Sequence, residues 1–311
     1  MISVALCTFN GENYISQQLD SIFNQSMPVD EVVIFDDCSK DSTFAILKSF
    51  AAKYSQIRLF KNNNNIGFRM NFEKALAESK GDYIFFSDQD DIWAKDKVAI
   101  TVDYLHKTGM YGVFSDGKLI DGNGKDLKHT LFSIQKLAPY IKSGLLNKYT
   151  FEVLCLKGNF VTGATLAITK AAKEYILPFR TSKYVLHDNW IALKLSAQHK
   201  LGYIENPLIL YRIHSRQECG LDLTDSGKRD FLLDSFIGNG NCEKLMMFRR
   251  KTASIIFYCK FSCSEKRLLN RTYRNLYINS LKVSPNKIKH IVLYFFNELY
   301  ARANSRYGFR V

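Results

Sequence analysis

The chain has 311 residues, which is enough to bury a large core and predicts two structural units. It carries 43 lysine and arginine residues against 30 acidic residues, a formal net charge of +13, and its seven cysteines include no C-x-x-C pair. These features argue against a disulfide framework and predict free thiols in a reducing compartment, and no run approaches the roughly 18 apolar residues of a membrane-spanning helix.

The first hundred residues alternate between strand and helix patterns. Residues 2–8 predict a strand, and apolar residues then recur at helical spacing from Tyr14 onward. Two more strand-then-helix units follow, with strands at 31–35 and 57–60, and the run 83–87 predicts a fourth, buried strand. This alternation indicates right-handed βαβ units and therefore an α/β fold with a mostly parallel central sheet.

Polar clusters follow the predicted strands. Thr8 and Asn10 follow the first strand, Asp36 and Asp37 follow the second, and Asp88-Gln89-Asp90-Asp91 follows the fourth. In parallel sheets, ligands bind beyond the carboxyl ends of the strands. We therefore expect these side chains to line one crevice.

The acidic cluster after the fourth strand places three carboxylates within four residues. Ionised carboxylates repel one another and lose solvation beside an apolar strand, so three of them together indicate a cation or a polar ligand. A divalent metal ion that carries a diphosphate meets this requirement, and a solvated turn is the alternative. The first strand has no G-x-G-x-x-G after it and no P-loop motif occurs, which argues against a dehydrogenase or an NTPase.

Seven segments, in order along the chain, carry a family resemblance. Together they resemble the family 2 glycosyltransferases of the GT-A fold, which build bacterial surface polysaccharides, and within that family the rhamnosyltransferase-like branch. The resemblance covers about the first 215 residues. The matching segments are 7–12, 36–43, 65–72, 88–91, 159–165, 185–190 and 211–214.

The resemblance implies a donor site at the strand ends. Asp37 would contact the base, Asp88 would face the ribose and the sugar, and the Arg69 guanidinium would meet the diphosphate or Asp88. The alternatives are that Asp36 and Asp37 cap the helix that begins near Thr43, and that Arg69 is a solvated surface residue. The implied nucleotide-sugar-binding residues are Thr8, Asn10, Glu12, Asp36, Asp37, Arg69 and Asp88.

A metal site is implied as well. Asp90 would ligate Mg²⁺ or Mn²⁺ through a hard oxygen, and the imidazole of His214 would add a nitrogen ligand. The metal would offset the charge on the departing diphosphate, and Arg212 beside it could bind phosphate. The alternative for His214 is an ordinary surface or buried histidine. The residues assigned to the acceptor subsite or to support of the site are Asp91, Trp93, Gly163, His187, Trp190 and Arg212.

Asp188 is the candidate catalytic base, because residues 185–190 resemble the family's His-Asp-Trp-Trp pattern, with Asn189 in place of the first tryptophan. In an inverting transfer, a carboxylate takes the proton from the acceptor hydroxyl as this attacks the anomeric carbon. Trp190 would offer a flat apolar face on which a sugar stacks. The alternative is that Asp188 is the N-cap of a helix from Asn189 to Ser196.

The last fifth of the chain is strongly basic. From Phe248 to Val311 there are 14 lysine and arginine residues, two acidic residues and twelve aromatic residues, so this stretch carries +12 of the net charge. Apolar residues recur at helical spacing between Ile288 and Tyr300, which predicts a basic amphipathic element suited to an anionic membrane surface. The alternatives are a helical cap on the catalytic domain and a nucleic-acid binder, and a nucleic-acid partner is not expected.

We therefore expect a GT-A catalytic domain at 1–220 and a helical, basic, membrane-associating region at 221–311. Within the catalytic domain, 1–100 is expected to bind the nucleotide sugar and 101–220 the acceptor. The N-terminus lacks a basic segment before its strand, so the protein is expected to lie peripherally on the cytoplasmic face of the cell membrane. The sequence is compatible with a homodimer.

The expected reaction is an inverting, metal-dependent transfer of a rhamnose-, glucose- or galactose-type sugar from a dTDP- or UDP-sugar. The acceptor is expected to be a polyprenyl-diphosphate-linked saccharide in O-antigen, capsule or other surface polysaccharide synthesis. One alternative is a sugar nucleotidyltransferase, which would usually show a glycine-rich basic loop after the first strand. The other is a non-catalytic sugar-binding scaffold of the same fold.

Overall fold

A computed structural model describes residues 1–179, 186–215, 217, 267 and 271. The described residues divide into two compact units. The first unit contains Met1–Leu137, Val161–Phe179 and the described residues from 200 to 217, and the second contains Ala138–Phe160 and residues 186–199. The predicted division near residue 220 and, except for residues 267 and 271, the predicted helical basic region at 221–311 lie outside the described residues.

The predicted strands and helices of the first hundred residues are confirmed. Every residue of the first two strands is buried, which is why these strands appear in the sequence as continuous apolar runs. In the first helix Ile15, Leu19 and Ile22 are buried on one face, as their spacing requires. The elements are β1 (Ile2–Thr8), α1 (Ile15–Phe23), β2 (Glu31–Asp36), α2 (Thr43–Lys53), β3 (Ile57–Lys61), α3 (Phe68–Glu78) and β4 (Tyr83–Ser87).

The remaining elements complete the sheet and form the second unit, which contains α6, α7 and α9. Among the described residues, no helix combines the length and the apolar composition needed to cross a membrane. These elements are β5 (Ile92–Trp93), α4 (Lys97–Thr108), β6 (Gly112–Asp121), β7 (Asp126–Thr130), α5 (Leu131–Ile134), α6 (Ala138–Lys142), α7 (Leu145–Lys157), a 3₁₀ turn (Gly163–Thr165), β8 (Leu166–Thr169), α8 (Lys170–Ile176), α9 (His187–Ser196) and β9 (Leu201–Ile213).

The strands of the first unit form one sheet in the order β3-β2-β1-β4-β8-β6-β9-β5, with β7 paired to β6. The block β3-β2-β1-β4 is parallel, β6 and β9 are also parallel, and β8 runs antiparallel to both β4 and β6. The chain turns from one side of β1 to the other between β3 and β4, so the gap between β1 and β4 is a topological switch point. Crevices at such points are the usual ligand sites of open α/β sheets.

The register of the sheet brings the polar strand ends together. Thr8 pairs with Asp36 across β1 and β2, and Leu6 pairs with Ser87 across β1 and β4. The acidic cluster that begins at Asp88 therefore starts beside the end of β1.

Candidate active site

Asp36 organises the loops that follow β1 and β2. Its buried carboxylate accepts hydrogen bonds from the Thr8 hydroxyl (3.1 Å), the Ser39 hydroxyl (2.5 Å) and the Ser39 amide (3.0 Å). The Ser39 hydroxyl in turn accepts the amide of Asn10 (3.0 Å), and the Asn10 side-chain oxygen accepts the amide of Lys40 (2.9 Å). Thr8, Asn10 and Asp36, three of the residues predicted at the first two strand ends, thus belong to one connected network.

Asp37 closes the asparagine-rich loop after β3. One carboxylate oxygen accepts from the Asn62 side chain (2.8 Å) and the Ile66 amide (2.9 Å), and the other accepts from the Gly67 amide (2.9 Å). The loop turns at Gly67 with φ +82°, a backbone conformation that favours glycine. Since Asp37 is 2% exposed, its structural role is loop closure, and its contact with a base stays a prediction.

The carboxylates of Asp41 and Glu12, and not those of Asp36 and Asp37, bind the start of α2. Asp41 accepts from the amide and hydroxyl of Thr43, and Glu12 accepts from the amide of Ser42 (2.8 Å). Burial would raise the pKa of Asp41, but the hydrogen bonds, those of Thr43 foremost, outweigh it and hold this pKa below its usual value. The capping alternative for Asp36 and Asp37 is therefore wrong, because their hydrogen bonds go to the loops instead.

Arg69 lies in the first turn of α3 and is half-buried. It makes no hydrogen bond or ion pair with any residue that the structure describes, so its contact with Asp88 stays a prediction. Asp88 is itself half-buried, directly after β4. The contact of Arg69 with a diphosphate stays a prediction.

Asp90 and His214 lie together although 124 positions separate them in the sequence. The carboxylate oxygen Oδ2 of Asp90 is 2.9 Å from Nε2 of His214, and the two side chains are 14% and 11% exposed. The ring of Tyr14 packs on the imidazole with centroids 4.8 Å apart. The two predicted metal ligands thus form a nearly buried pair at the switch point.

The donor atoms of this pair fit a divalent cation. In the part of the chain that the structure describes, no group of three or more His, Cys, Asp or Glu side chains is arranged for a metal. Mg²⁺ commonly takes only one or two protein ligands and fills its other positions with water and substrate phosphates. Asp90 and His214 therefore suit an ion that arrives with a diphosphate.

Arg212 connects the acidic cluster to the surrounding loops. Its guanidinium nitrogens donate to the carbonyl of Asp90 (2.8 Å), the carbonyl of Gly122 (3.2 Å) and the side chain of Gln17 (2.8 Å). Its amide donates to the carboxylate of Asp91 (3.0 Å). All three guanidinium nitrogens contact protein atoms and the side chain is 2% exposed, so in this structure Arg212 supports the site, and its contact with a phosphate stays a prediction.

Asp91 is the most deeply buried carboxylate of the acidic cluster. It is buried, and burial together with the neighbouring carboxylates Asp90 and Asp88 raises its pKa well above the ordinary value. Its hydrogen bond from the Arg212 amide acts in the opposite direction. Asp91 is thus a buried neighbour of Asp90 and Arg212, and its role in supporting the site stays a prediction.

Lys97 is a buried cation that the sequence analysis missed. It is 1% exposed, its Nζ donates to the carbonyl of Ala164 (2.6 Å), and it lies 4.3 Å from the ring centre of Trp93. Burial lowers its pKa to about 7, although Asp91 and Asp88 act to raise it. Lys97 thereby ties the Gly163–Thr165 turn to the acidic cluster, and Trp93 is a core residue. No sequence pattern marks this contact, since 67 positions separate its partners.

Asp188 lies in the second unit, in the first turn of α9. Its Oδ1 accepts hydrogen bonds from the Asn189 amide (2.5 Å) and the Asn159 side chain (3.2 Å). The helix begins at His187, with Leu186 at the cap position, so the interpretation of Asp188 as the N-cap is wrong. The two hydrogen bonds hold its carboxylate in one orientation.

Trp190 follows on the same helix and is 4% exposed. The ammonium of Lys194 lies 5.6 Å from its ring centre. The indole is therefore a packed side chain, and its burial leaves no open ring face for the predicted stacking of a sugar.

His187 makes the second unit sensitive to acid. Burial lowers its pKa to about 3, so below its ordinary value of 6.5 the unfolded chain binds a proton that the folded chain does not. The contribution of His187 to stability is therefore fully present above pH 6.5 and falls by about 1.4 kcal/mol per pH unit between pH 6.5 and about pH 3. We expect His187→Gln to remove about 2 kcal/mol of the loss between pH 7 and pH 5, measured by urea unfolding. The exposed His106→Gln should leave the loss unchanged, and equal pH slopes for the two variants would contradict the prediction.

Comparisons with known proteins agree with this architecture. The profile of Glycosyl transferase family 2 matches residues 3–176, which is more than half of the chain. The dTDP-rhamnosyl transferase RfbG of Shigella flexneri is 28% identical over 235 residues, which cover 72% of this chain and 76% of RfbG. The putative teichuronic acid biosynthesis glycosyltransferase TuaG of Bacillus subtilis (strain 168) is 29% identical over 137 residues, 44% of this chain and 54% of TuaG.

Solved structures show the same fold. Residues 1–349 of S. aureus TarS in complex with UDP-GlcNAc align with a TM-score of 0.54 at 17% identity, over 98% of this chain and 88% of that one. The mannosyltransferase PcManGT from Pyrobaculum calidifontis, in complex with GDP-Man and Mn²⁺, aligns with a TM-score of 0.52 at 15% identity. The alignment covers 96% of this chain and 80% of that one. The expected GT-A fold is confirmed, and the nucleotidyltransferase alternative is wrong. The chain belongs to glycosyl transferase family 2 and is a glycosyltransferase.

Proposed function

We propose that this enzyme is an inverting, metal-dependent glycosyltransferase of bacterial surface polysaccharide synthesis. It transfers a hexose or deoxyhexose from a nucleoside diphosphate sugar to a hydroxyl of a polyprenyl-diphosphate-linked saccharide. The names of RfbG and TuaG support a dTDP-rhamnose-type donor and a cell-surface product. The nucleotide sugars bound to TarS and PcManGT support UDP- and GDP-sugars as the donors to compare with it.

The single observation that carries the proposal is the Asp90–His214 pair at the β1/β4 switch point. A carboxylate and an imidazole 2.9 Å apart form a compact pair of ligands for Mn²⁺ or Mg²⁺. The Mn²⁺ in the PcManGT complex supports the same assignment. When bound, the ion would stabilise the negative charge that develops on the departing diphosphate.

Other residues of the chain position the loops of the donor site and supply a cation for the diphosphate. The Asp36 network holds the first two loops in place, and Arg212 fixes the backbone of Asp90. Arg69, which has no partner among the described residues, is the cation available to the diphosphate. Preorganised charge of this kind needs little rearrangement during the reaction.

Asp188 is the proposed general base. Its carboxylate, oriented by Asn159 and the Asn189 amide, takes the proton from the acceptor hydroxyl as the C–O bond to the anomeric carbon forms. The bond from that carbon to the diphosphate oxygen breaks on the opposite face, so the anomeric configuration inverts.

Membrane attachment through residues 248–311 completes the proposal. Their +12 charge suits an anionic surface, where each basic residue contributes about 1 kcal/mol, and a lipid-linked acceptor would lie at the same surface. Except for residues 267 and 271, this region falls outside the described residues, so the attachment and the cytoplasmic location depend on the sequence.

The test measures nucleotide release from UDP-, GDP-, dTDP- and CMP-sugars with Mn²⁺ or Mg²⁺. We expect one donor to be turned over only with metal, and Asp90→Ala to lower that turnover by at least about 100-fold, since a catalytic metal supplies several kcal/mol. Mn²⁺ binding, followed by electron paramagnetic resonance without donor, should weaken in both Asp90→Ala and His214→Ala. The fold should persist, because Arg212 is held by the backbone carbonyl of Asp90 and not by its side chain.

The exposed Asp20→Asn is the matched control and should retain wild-type turnover and Mn²⁺ binding. If the protein binds none of the four nucleotides by calorimetry, with or without metal, the proposed function is wrong. Metal-independent turnover with unchanged Mn²⁺ binding in Asp90→Ala would refute only the metal site.

A further inference from the structure

The side chain of Gln89 joins the loop after β1 to the acidic loop after β4. Its Oε1 accepts the amide of Phe9 (2.9 Å), and its Nε2 donates to the carbonyl of Phe9 (3.0 Å). One side chain thus pairs with both backbone groups of a residue 80 positions away. Gln89 lies between Asp88 and Asp90, so this contact spans the gap between β1 and β4.

Gly11 leaves the space that this contact needs. A Cβ at Gly11 would lie 2.2 Å from Oε1 and 2.4 Å from Cδ of Gln89, far inside van der Waals contact. The backbone of Gly11 cannot easily move away, because its amide donates to the Thr43 hydroxyl (2.7 Å) and its carbonyl accepts the amides of Tyr14 and Ile15. An alanine at this position would therefore displace the carboxamide of Gln89.

We propose that Gln89 is a positioning residue for the donor, and that glycine stands at 11 to make room for it. We call the two hydrogen bonds between Gln89 and Phe9 the lock. The lock fixes the loop that carries Asn10 and Glu12 against the loop that carries Asp88 and Asp90. A nucleoside diphosphate that contacts both loops then meets one rigid surface, and less of its binding free energy is lost in ordering the loops. This inference rests on the proposed function.

The chemistry of the lock requires an amide side chain. A carboxamide offers a donor and an acceptor side by side, as the C=O and N–H of one residue need, whereas an ionised carboxylate offers acceptors only. In Gln89→Glu the carboxylate can accept the Phe9 amide but cannot donate to the Phe9 carbonyl. We expect this nearly isosteric variant to bind the nucleotide more weakly, although it adds a negative charge next to Asp90, the proposed metal ligand.

The test is a double-mutant cycle of Gly11→Ala and Gln89→Ala. Calorimetry with UDP and with dTDP, each with Mn²⁺, should show about tenfold weaker binding in either single variant, because each loses the same two hydrogen bonds. The double variant should bind no more weakly than the weaker single variant, since the clash at 11 vanishes when the side chain at 89 is removed. Donor hydrolysis should show a raised KM in all three with a smaller change in kcat.

Hydrogen exchange at the Phe9 amide provides a readout that does not depend on catalysis or on nucleotide. It should be faster in both single variants and in the double variant, and unchanged in the exposed control Gln56→Ala. Additive losses of affinity, or wild-type affinity in Gln89→Ala, would overturn the proposal. If the wild-type protein binds none of UDP, dTDP, GDP and CMP, the proposed function is what fails, and unchanged Phe9 exchange in Gln89→Ala would overturn the Gln89–Phe9 contact itself.

Discussion

Replacing Asp188 with asparagine should lower the rate of glycosyl transfer by about 10²–10⁴-fold, the usual contribution of a positioned general base. Asparagine keeps the shape of the side chain but cannot take up a proton at its carbonyl oxygen in the same way. The helix should be unaffected, because it begins at His187 and does not use Asp188 as its cap. Single-turnover transfer to a lipid-linked acceptor and calorimetric nucleotide affinity are the two measurements.

Nucleotide affinity in Asp188→Asn should stay within about twofold of the wild type, since a base acts in the transition state and not in donor binding. Asn159→Ala is the graded comparison, because it keeps the base and removes one of its orienting hydrogen bonds. We expect about a tenfold loss there, the effect of one hydrogen bond of ordinary strength. Full transfer activity in Asp188→Asn would show that another group takes the proton.

Replacing Arg212 with lysine should destabilise the first unit by about 1–3 kcal/mol for each buried acceptor that loses its donor. The guanidinium reaches the carbonyls of Asp90 and Gly122 and the side chain of Gln17, and its carbon lies 4.7 Å from the centre of the Tyr14 ring. A lysine ammonium has one nitrogen and cannot donate hydrogen bonds to all three acceptors at once. Buried acceptors would therefore lose their donors. Donor turnover should fall with stability, because the backbone of Asp90 loses its hydrogen bond to the guanidinium.

Thermal unfolding and donor hydrolysis at a temperature well below the transition test this prediction. Arg58→Lys is the matched control, since Arg58 is half-exposed and pairs with Glu31 (3.4 Å) and Glu78 (2.6 Å). A partly exposed pair of this kind contributes at most about 1 kcal/mol, so the control should unfold close to the wild type. An Arg212→Lys protein with wild-type midpoint and turnover would refute the supporting role.

Local pattern was sufficient for the first half of the fold. The strands at 2–8 and 83–87 and the helix from Ile15 follow from runs and spacings that are complete within a few residues. The antiparallel insertion of β8 between β4 and β6 was not predicted, because strand order depends on contacts between distant segments.

The roles of individual site residues were predicted unevenly. Asp90 and His214 were placed together from the family motifs, and the structure brings them to 2.9 Å. Arg212 was expected to meet a phosphate, whereas the structure commits its nitrogens to protein carbonyls and a glutamine side chain. Gln89 received no role, although it lies within the most conspicuous motif of the chain. Its function depends on Phe9 and Gly11, which only the folded sheet brings near.

The sequence by itself determined which residues gather at the strand ends, because strand period and hydrophobic runs are local properties of the chain. It also determined the family, through ordered motifs. The tertiary structure alone decided how each polar group is used. A buried donor or acceptor must be paired, and its partner is set by packing across β1, β4 and β9 rather than by neighbours in the sequence. Asp37 closes a loop and Lys97 crosses to the Gly163–Thr165 turn for this reason.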